Sequence, residues 1–291
     1  MTERAWAPTA ALVGVTAIWG STFVVVKDAV EKMPVTDFLT WRFGLAGLVM
    51  LLLRPRSVAQ LGRKGRRSGV LVGLALGTGY LLQTLGLQHT SAAVSGFITG
   101  MFVVLTPIGA AVLLRKPPGR AAWLAVVLAT IGLGLLSLHG LSIGTGELLT
   151  LGCAAAFALH IVGLGEWAQR HDAYGLAVVQ LLTTAVMCAV IAAPGGLTVP
   201  PDGSVWGALV LTALAATALA FVVQTWAQAH LAPTRAAVIM TMEPVFSGIF
   251  AVIVAGEVLG LRTLAGAALV LGAMLLTEVG SPPPPVERLE V

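Results

Sequence analysis

What most constrains this chain is a succession of apolar runs, each about long enough to cross a bilayer and separated from the next by a short connection. Ten can be drawn, at residues 8–27, 36–53, 69–88, 92–114, 121–139, 146–168, 174–193, 204–229, 234–256 and 262–279. A hydrocarbon core about 30 Å thick takes roughly 20 residues of helix. Inside it every backbone polar group must be satisfied by the chain itself, so continuous runs of this length select helices. Composition agrees: 57% of residues are hydrophobic and 10% charged, against about 25% charged in a soluble domain. The 34 glycines suit helices that pack closely where no hydrophobic drive pulls them together. The expected fold class is an all-α integral membrane protein. The connections MPVTD, RKPPGR, HGLSIGTG and PGGLTVPPDG carry turn or charged residues. The first run continues into WGSTFV rather than a small-residue cleavage site, so it is expected to be retained.

Lys and Arg set the orientation. With the N-terminus inside, thirteen of the seventeen fall on the cytoplasmic side: Arg4, Arg54, Arg56, Arg63, Lys64, Arg66, Arg67, Arg115, Lys116, Arg120, Arg170, Arg235 and Arg288. Only Lys27, Lys32 and Arg262 fall outside, with Arg42 left inside the second run. The positive-inside rule then places both termini in the cytoplasm. The 54–67 cluster is a short loop without interleaved aromatics, which fits a topology signal against anionic lipid and not nucleic-acid binding. The final SPPPPVERLEV, 281–291, reads as a disordered cytoplasmic tail.

The chain also repeats itself. QTLGLQH at 83–89 matches QTWAQAH at 224–230, and each is followed in the next run by an X-Pro, Thr106-Pro107 and Glu243-Pro244. AAWLAVVLATIGLGLL at 121–136 aligns with RTLAGAALVLGAMLL at 262–276, bringing Gly132 opposite Gly272. The period is close to 140 residues, or five runs. An odd number of spans inverts the second copy, an arrangement typical of secondary transporters with a cargo site near the midplane. This divides the chain into 1–141, 142–280 and the tail.

AIWGSTFVVVK, WRFGLAGLVMLLL, HTSAAVSGFITGMFVVLTPIGAAVLL, GELLTLGCAAAFALHIVGL and APTRAAVIMTMEPVFSGIFAVIVAGEVLGLRTLAGAALVLGAMLL together resemble the drug/metabolite transporter superfamily, EamA type. The resemblance covers nearly the whole chain. It implies ten helices in two five-helix repeats and export of amino acids, amines, drugs or other metabolites, with some members importing. One departure stands out: the Gly-Glu that follows the proline helix is kept at Gly256-Glu257, whereas the first half has Pro117 where the acid would fall.

Nine residues are candidates for a cargo site: Trp19, Arg42, Tyr80, Gln83, Thr99, Phe102, His160, Gln224 and Glu243. Glu243 stands about 14 Å into its run and Arg42 about 9 Å into its own, depths at which an ionisable group is expensive unless it meets water, a partner or cargo. Arg42 either binds a carboxylate, pairs with Glu243 or another acid, or snorkels to the outer surface. Lys27 and Asp28, nearer the boundary, read as solvated anchors. Tyr80, Gln83, Thr84 and Gln88 share one helical face, as do Thr217, Gln224 and Gln228, and these polar stripes serve cargo or bond neighbouring helices. Thr99, Phe102 and Thr106 form a third, lining a pore or bonding carbonyls freed by Pro107. Trp19 beside Gly20-Ser21-Thr22 stacks on cargo or simply packs. His160 is a proton relay or a hydrogen-bonded core residue. His89, His139 and His230 fall at helix ends.

Walker and HExxH motifs are absent and the short loops leave no room for a catalytic domain, so the chain reads as neither an enzyme nor an ATP-driven pump. Cys153 and Cys188 lie in apolar runs, two thiols cannot cage zinc, and no cofactor is expected. The reading is a multi-pass secondary transporter of the inner (plasma) membrane, exporting a small-molecule cargo by alternating access. A passive channel or a non-transporting scaffold are the alternatives. If a proton is coupled, Glu243 or His160 changes charge. Small residues of the fifth and tenth runs, Ala125, Ala129, Gly132, Ala265, Ala268 and Gly272, pack within the bundle or form the seam of a homodimer.

Overall fold

In this computed structural model residues 6–114, 120–139, 142–230, 239–240 and 242–279 are described. They form α1 (Trp6–Val30), α2 (Val35–Leu53), α3 (Ser57–Gln60), α4 (Gly62–Leu87), α5 (Ala92–Thr99), α6 (Phe102–Leu114) and α7 (Arg120–Ser137). A two-residue antiparallel ladder, β1 (Leu138–His139) with β2 (Ser142–Ile143), leads into α8 (Thr145–Trp167), α9 (Ala173–Ala192), α10 (Gly203–Ala213), α11 (Ala220–His230), α12 (Met242–Ile253) and α13 (Leu261–Val279). Seven stretches are long and apolar enough to span a membrane, and shorter apolar helices lie at Trp123–Gly132, Met242–Ile253 and Leu261–Ala273. The expected tail 281–291, the start of the ninth run, and Arg4, Arg115, Lys116, Pro117, Arg235 and Arg288 lie outside the described residues.

Four runs differ from expectation. The third begins at Gly62, not 69, so the basic residues 63–67 belong to α4. Its 26 residues reach about 39 Å, longer than the hydrocarbon core, and good helix formers such as Arg and Lys carry the extra turns into the aqueous boundary. The fourth run breaks at Gly100–Met101, where Met101, Val103 and Val104 donate to carbonyls only three residues back. The eighth widens into a π-turn at Leu214–Leu219. The ninth stops at Ile253, because Gly256 takes a left-handed φ of 65° and turns the chain back.

Helices from before residue 141 pack mainly on helices from after 142: α1 on α11 and α12, α2 and α4 on α9, α4 and α6 on α8, α5 on α12, and α7 on α13. Small residues set the closest seams. A Cβ at Gly20 would stand 2.7 Å from Ser247 N, and one at Gly132 2.8 Å from Gly266 O. Gly20 is therefore a contact point between α1 and α12. Ala125, Ala129 and Gly132 are buried in the α7–α13 seam, while Ala265, Ala268 and Gly272 face outward. Cys153 and Cys188 are free and buried.

Alternate connections gather at opposite ends, as serial spans require. At one end Lys27 Nζ donates to Thr90 O at 3.0 Å, Thr90 Oγ1 donates to Glu147 at 2.8 Å, and Asp37 accepts from the Thr198 N–H at 2.9 Å. Lys27 is thus tied to the α4–α5 loop and is not a free solvated anchor. Asp202 caps α10, and the Val205 N–H, ahead of Lys32, holds its carboxyl below the usual carboxylate range. At the other end Arg54 lies 3.9 Å from Asp172 and 4.9 Å from the Tyr174 ring centroid, and Arg170 pairs with Glu166.

Glu257 completes the first cluster. Past the Gly256 turn its carboxylate accepts the Ala92 N–H at 2.9 Å and the Ala93 N–H at 3.3 Å, two donors that the first turn of α5 would otherwise leave open. A charged acceptor suits that positive helix end. Glu257→Ala is expected to cost about 1–2 kcal/mol, read as a lower unfolding midpoint in detergent. Asp28→Ala, at an exposed position, is expected to leave the midpoint unchanged.

Candidate functional site

Where the first-half helices meet α8, α11 and α12, a cavity opens in the bundle. The first half supplies Trp19 from α1, Arg42 from α2, Tyr80 and Gln83 from α4, and Phe102 from just beyond the Gly100–Met101 break. The second supplies Phe157 and His160 from α8, Phe221 and Gln224 from α11, and Glu243 from the first turn of α12. Eight of the nine candidates share this lining. Thr99 stands behind it, accepting from Gln83 Nε2 at 3.2 Å.

The walls are aromatic. Tyr80 meets Phe43, Phe157 and Phe221 edge-on with centroids 4.9, 5.3 and 6.2 Å apart. Trp19 lies 5.5 Å from Phe221, and its N–H donates to Ala216 O at 2.8 Å. That bond gives the buried indole the partner it needs and fixes the ring at the cavity edge. Apolar aromatic walls with a few convergent polar groups are the usual makeup of a small-molecule site.

Charge is concentrated in Arg42 and Glu243. Arg42 is 2% exposed, so it does not snorkel outward, and no carboxylate among the described residues lies within 4.0 Å of it. Its Nε donates to Thr217 Oγ1 at 2.8 Å, its guanidinium carbon sits 4.9 Å from the Tyr80 centroid, and Nη2 is buried without a partner. Pairing with Glu243, one of the alternatives for Arg42, is not formed: both groups line the cavity without coming within 4.0 Å of each other. Gln224 Oε1 is also buried and unpartnered, its amide nitrogen resting 3.8 Å from Met240 Sδ. Gln83, its repeat mate, spends its amide on Thr99 and acts as interhelical glue.

His160 Nε2 lies 2.7 Å from Gln180 Oε1, which places the proton on Nε2. Glu166, further along α8, pairs with Arg170. Gln88 leaves the stripe to donate to Val30 O at 2.9 Å, and Gln228 is buried off the cavity. Thr106 donates to Phe102 O at 2.7 Å, one residue short of the Val103 carbonyl that a proline at 107 frees.

A model of the EamA-like transporter family matches residues 7–138 and again 144–279. The chain belongs to that family. An "Uncharacterized transporter" of Archaeoglobus fulgidus is 32% identical over 265 residues, covering 91% of this chain and 83% of that one. An "Uncharacterized transporter YyaM" of Bacillus subtilis is 24% identical over 284 residues, 92% of each. A crystal structure with 20% sequence identity superposes with a TM-score of 0.67 over 93% of this chain and 96% of the other, which shows the shared fold. The chain is thus a multi-pass membrane transporter with a small-molecule cargo, consistent with the plasma membrane.

Within this EamA-family bundle, three residues at or beside the cavity lie outside the nine candidates. Phe157 and Phe221 each stand three residues before a polar candidate, His160 and Gln224, and so share its face; that spacing was the available signal. Gln180, the partner of His160, carries the same signal as Gln83 and Gln224, an amide inside an apolar run, yet is not among the nine.

Proposed function

We propose that this protein is a secondary active exporter of small organic metabolites, working by alternating access around the cavity. Residues 1–141 and 142–280 act as two inverted five-helix halves, ten spans in all, with both termini and the 281–291 tail in the cytoplasm. The observation that carries the reading is the shared lining: each half contributes aromatic walls and one buried charged group, Arg42 and Glu243, to one cavity. Rocking one half against the other would open that site to either side in turn. The Gly100–Met101 break and the π-turn, both beside the cavity, support local bending there.

Glu243 is assigned to proton coupling. It is 6% exposed, faces the cavity with Arg42, Tyr80 and His160, and accepts no hydrogen bond from a described residue. His160 is instead held by Gln180. Proton arrival on Glu243 would remove one charge and bias one bundle position. In proteoliposomes screened with labelled amino acids, polyamines, organic acids and cationic dyes, wild type is expected to show saturable uptake and counter-transport. Glu243→Gln is expected to lose pH-gradient-driven accumulation while keeping exchange. An unchanged rate and pH dependence in that variant would remove Glu243 from the role, and flux without saturation or counter-transport would mark a channel.

A further inference from the structure

The π-turn at Leu214–Leu219 contains no proline or glycine, yet it sits where the cavity needs two special groups. The Ala220 N–H just after it bonds to Ala215 O and Thr217 O and passes over Ala216 O. In a regular helix that N–H would take the carbonyl four residues back, which is Ala216. The bypassed carbonyl is the one that accepts Trp19 Nε1–H, at 2.8 Å. The next residue, Thr217, accepts Arg42 Nε–H at 2.8 Å. Two consecutive residues thus reach α1 and α2, one by backbone and one by side chain. One inserted residue also rotates α10 by roughly 100° relative to α11.

The hold on Arg42 leaves Nη2 free. Nε is taken by Thr217, and the Tyr80 and Phe43 rings lie 4.9 and 5.5 Å from the guanidinium carbon. The plane is fixed, and buried Nη2 has no partner. We propose that the π-turn holds Arg42 as the carboxylate anchor of the cargo site, with Thr217 as its positioning residue. The planar fork of a guanidinium matches a carboxylate edge, and a buried cation without an acid beside it gains most from a ligand that brings one. This rests on the reading of the cavity as the cargo site and adds the chemical class of the group bound at its Arg42 end.

Three probes with the same ring and chain separate the charges: 3-phenylpropionate carries only a carboxylate, phenylalanine adds an ammonium, and phenethylamine carries only the ammonium. Binding is read by thermal shift and calorimetry on the purified protein in detergent. The two carboxylates are expected to bind wild type and phenethylamine is not. Arg42→Gln abolishes that binding. Thr217→Val, and Thr217→Ala should the valine variant fold poorly, weaken it about tenfold or more, while Thr217→Ser stays within about threefold. Thr212→Val, which removes a hydroxyl that among the described residues bonds only to Leu209 O on the same helix, changes nothing. Carboxylate binding lost in Arg42→Gln but intact in Thr217→Val overturns the positioning role and leaves the cavity reading standing. Binding of phenethylamine alone overturns the carboxylate anchor and leaves the cavity standing. No binding by any of the three overturns both.

Discussion

Gly20→Ala should destabilise the protein by about 1–3 kcal/mol, whereas Gly14→Ala, two turns earlier on the same helix, should be neutral or stabilising. The added methyl at position 20 would stand 2.6 Å from Phe246 Cβ, 2.7 Å from Ser247 N and 2.9 Å from Glu243 O. Two of those atoms are backbone, so no rotamer change relieves the clash and α1 must move off α12. At position 14 nothing lies within 4 Å. There alanine brings only its better helix propensity, worth up to about 1 kcal/mol. Function should follow the seam as well. Trp19 precedes Gly20 and Glu243 sits on the opposing helix, so separating α1 from α12 widens the cavity wall between them. Unfolding midpoints in detergent together with transport in proteoliposomes check both effects. A Gly20→Ala protein as stable as wild type would mean that α1 and α12 do not meet at this point.

The same comparison shows what a linear reading can reach. Spans are legible because burial in lipid is set by composition over about 20 residues, and Arg42, Glu243, Gln224 and Tyr80 stand out because polarity inside such spans is costly. Helical spacing then brings most of the cavity together. What escapes depends on hydrogen-bond phase or on distant partners. ATALA at 216–220 has no breaker, so nothing in it announces a π-turn that frees one carbonyl for Trp19. Glu257 could be noted beside Gly256, yet its partner Ala92 lies 165 residues away. For Arg42 the alternatives of snorkelling, pairing and cavity binding depend on what α4 and the π-turn place around it. A single helix carries no such information. The break at Gly100–Met101 is intermediate: glycine is a weak helix former, but the long-range pull of Gln83 on Thr99 is invisible until α4 is set beside α5.

Arg42→Met is expected to raise the unfolding midpoint while removing transport. Native Arg42 is 2% exposed and makes one side-chain hydrogen bond, to Thr217, with no acid within 4.0 Å among the described residues. Taking an ion from water costs several kcal/mol, and one hydrogen bond and two ring contacts return only part of that. Methionine fills much of the same channel between Tyr80 and Phe43, gains sulfur–aromatic contact and carries no charge. Thr217 loses a donor, but its hydroxyl can turn to its own helix and donate to a carbonyl there. Replacing buried ions by apolar groups of similar volume has yielded gains of about 1–4 kcal/mol, and a gain in that range is expected here. Transport of a carboxylate-bearing cargo should fall about a hundredfold or more, the equivalent of losing one charge-assisted contact of about 3 kcal/mol. The opposite signs are the diagnostic. A residue kept for the fold lowers stability and activity together when it is removed, whereas one kept for cargo against the interest of the fold lowers only activity. If Arg42→Met proves less stable than wild type, the guanidinium is part of the scaffold, and the cavity must recognise its cargo through Glu243 and Gln224 instead.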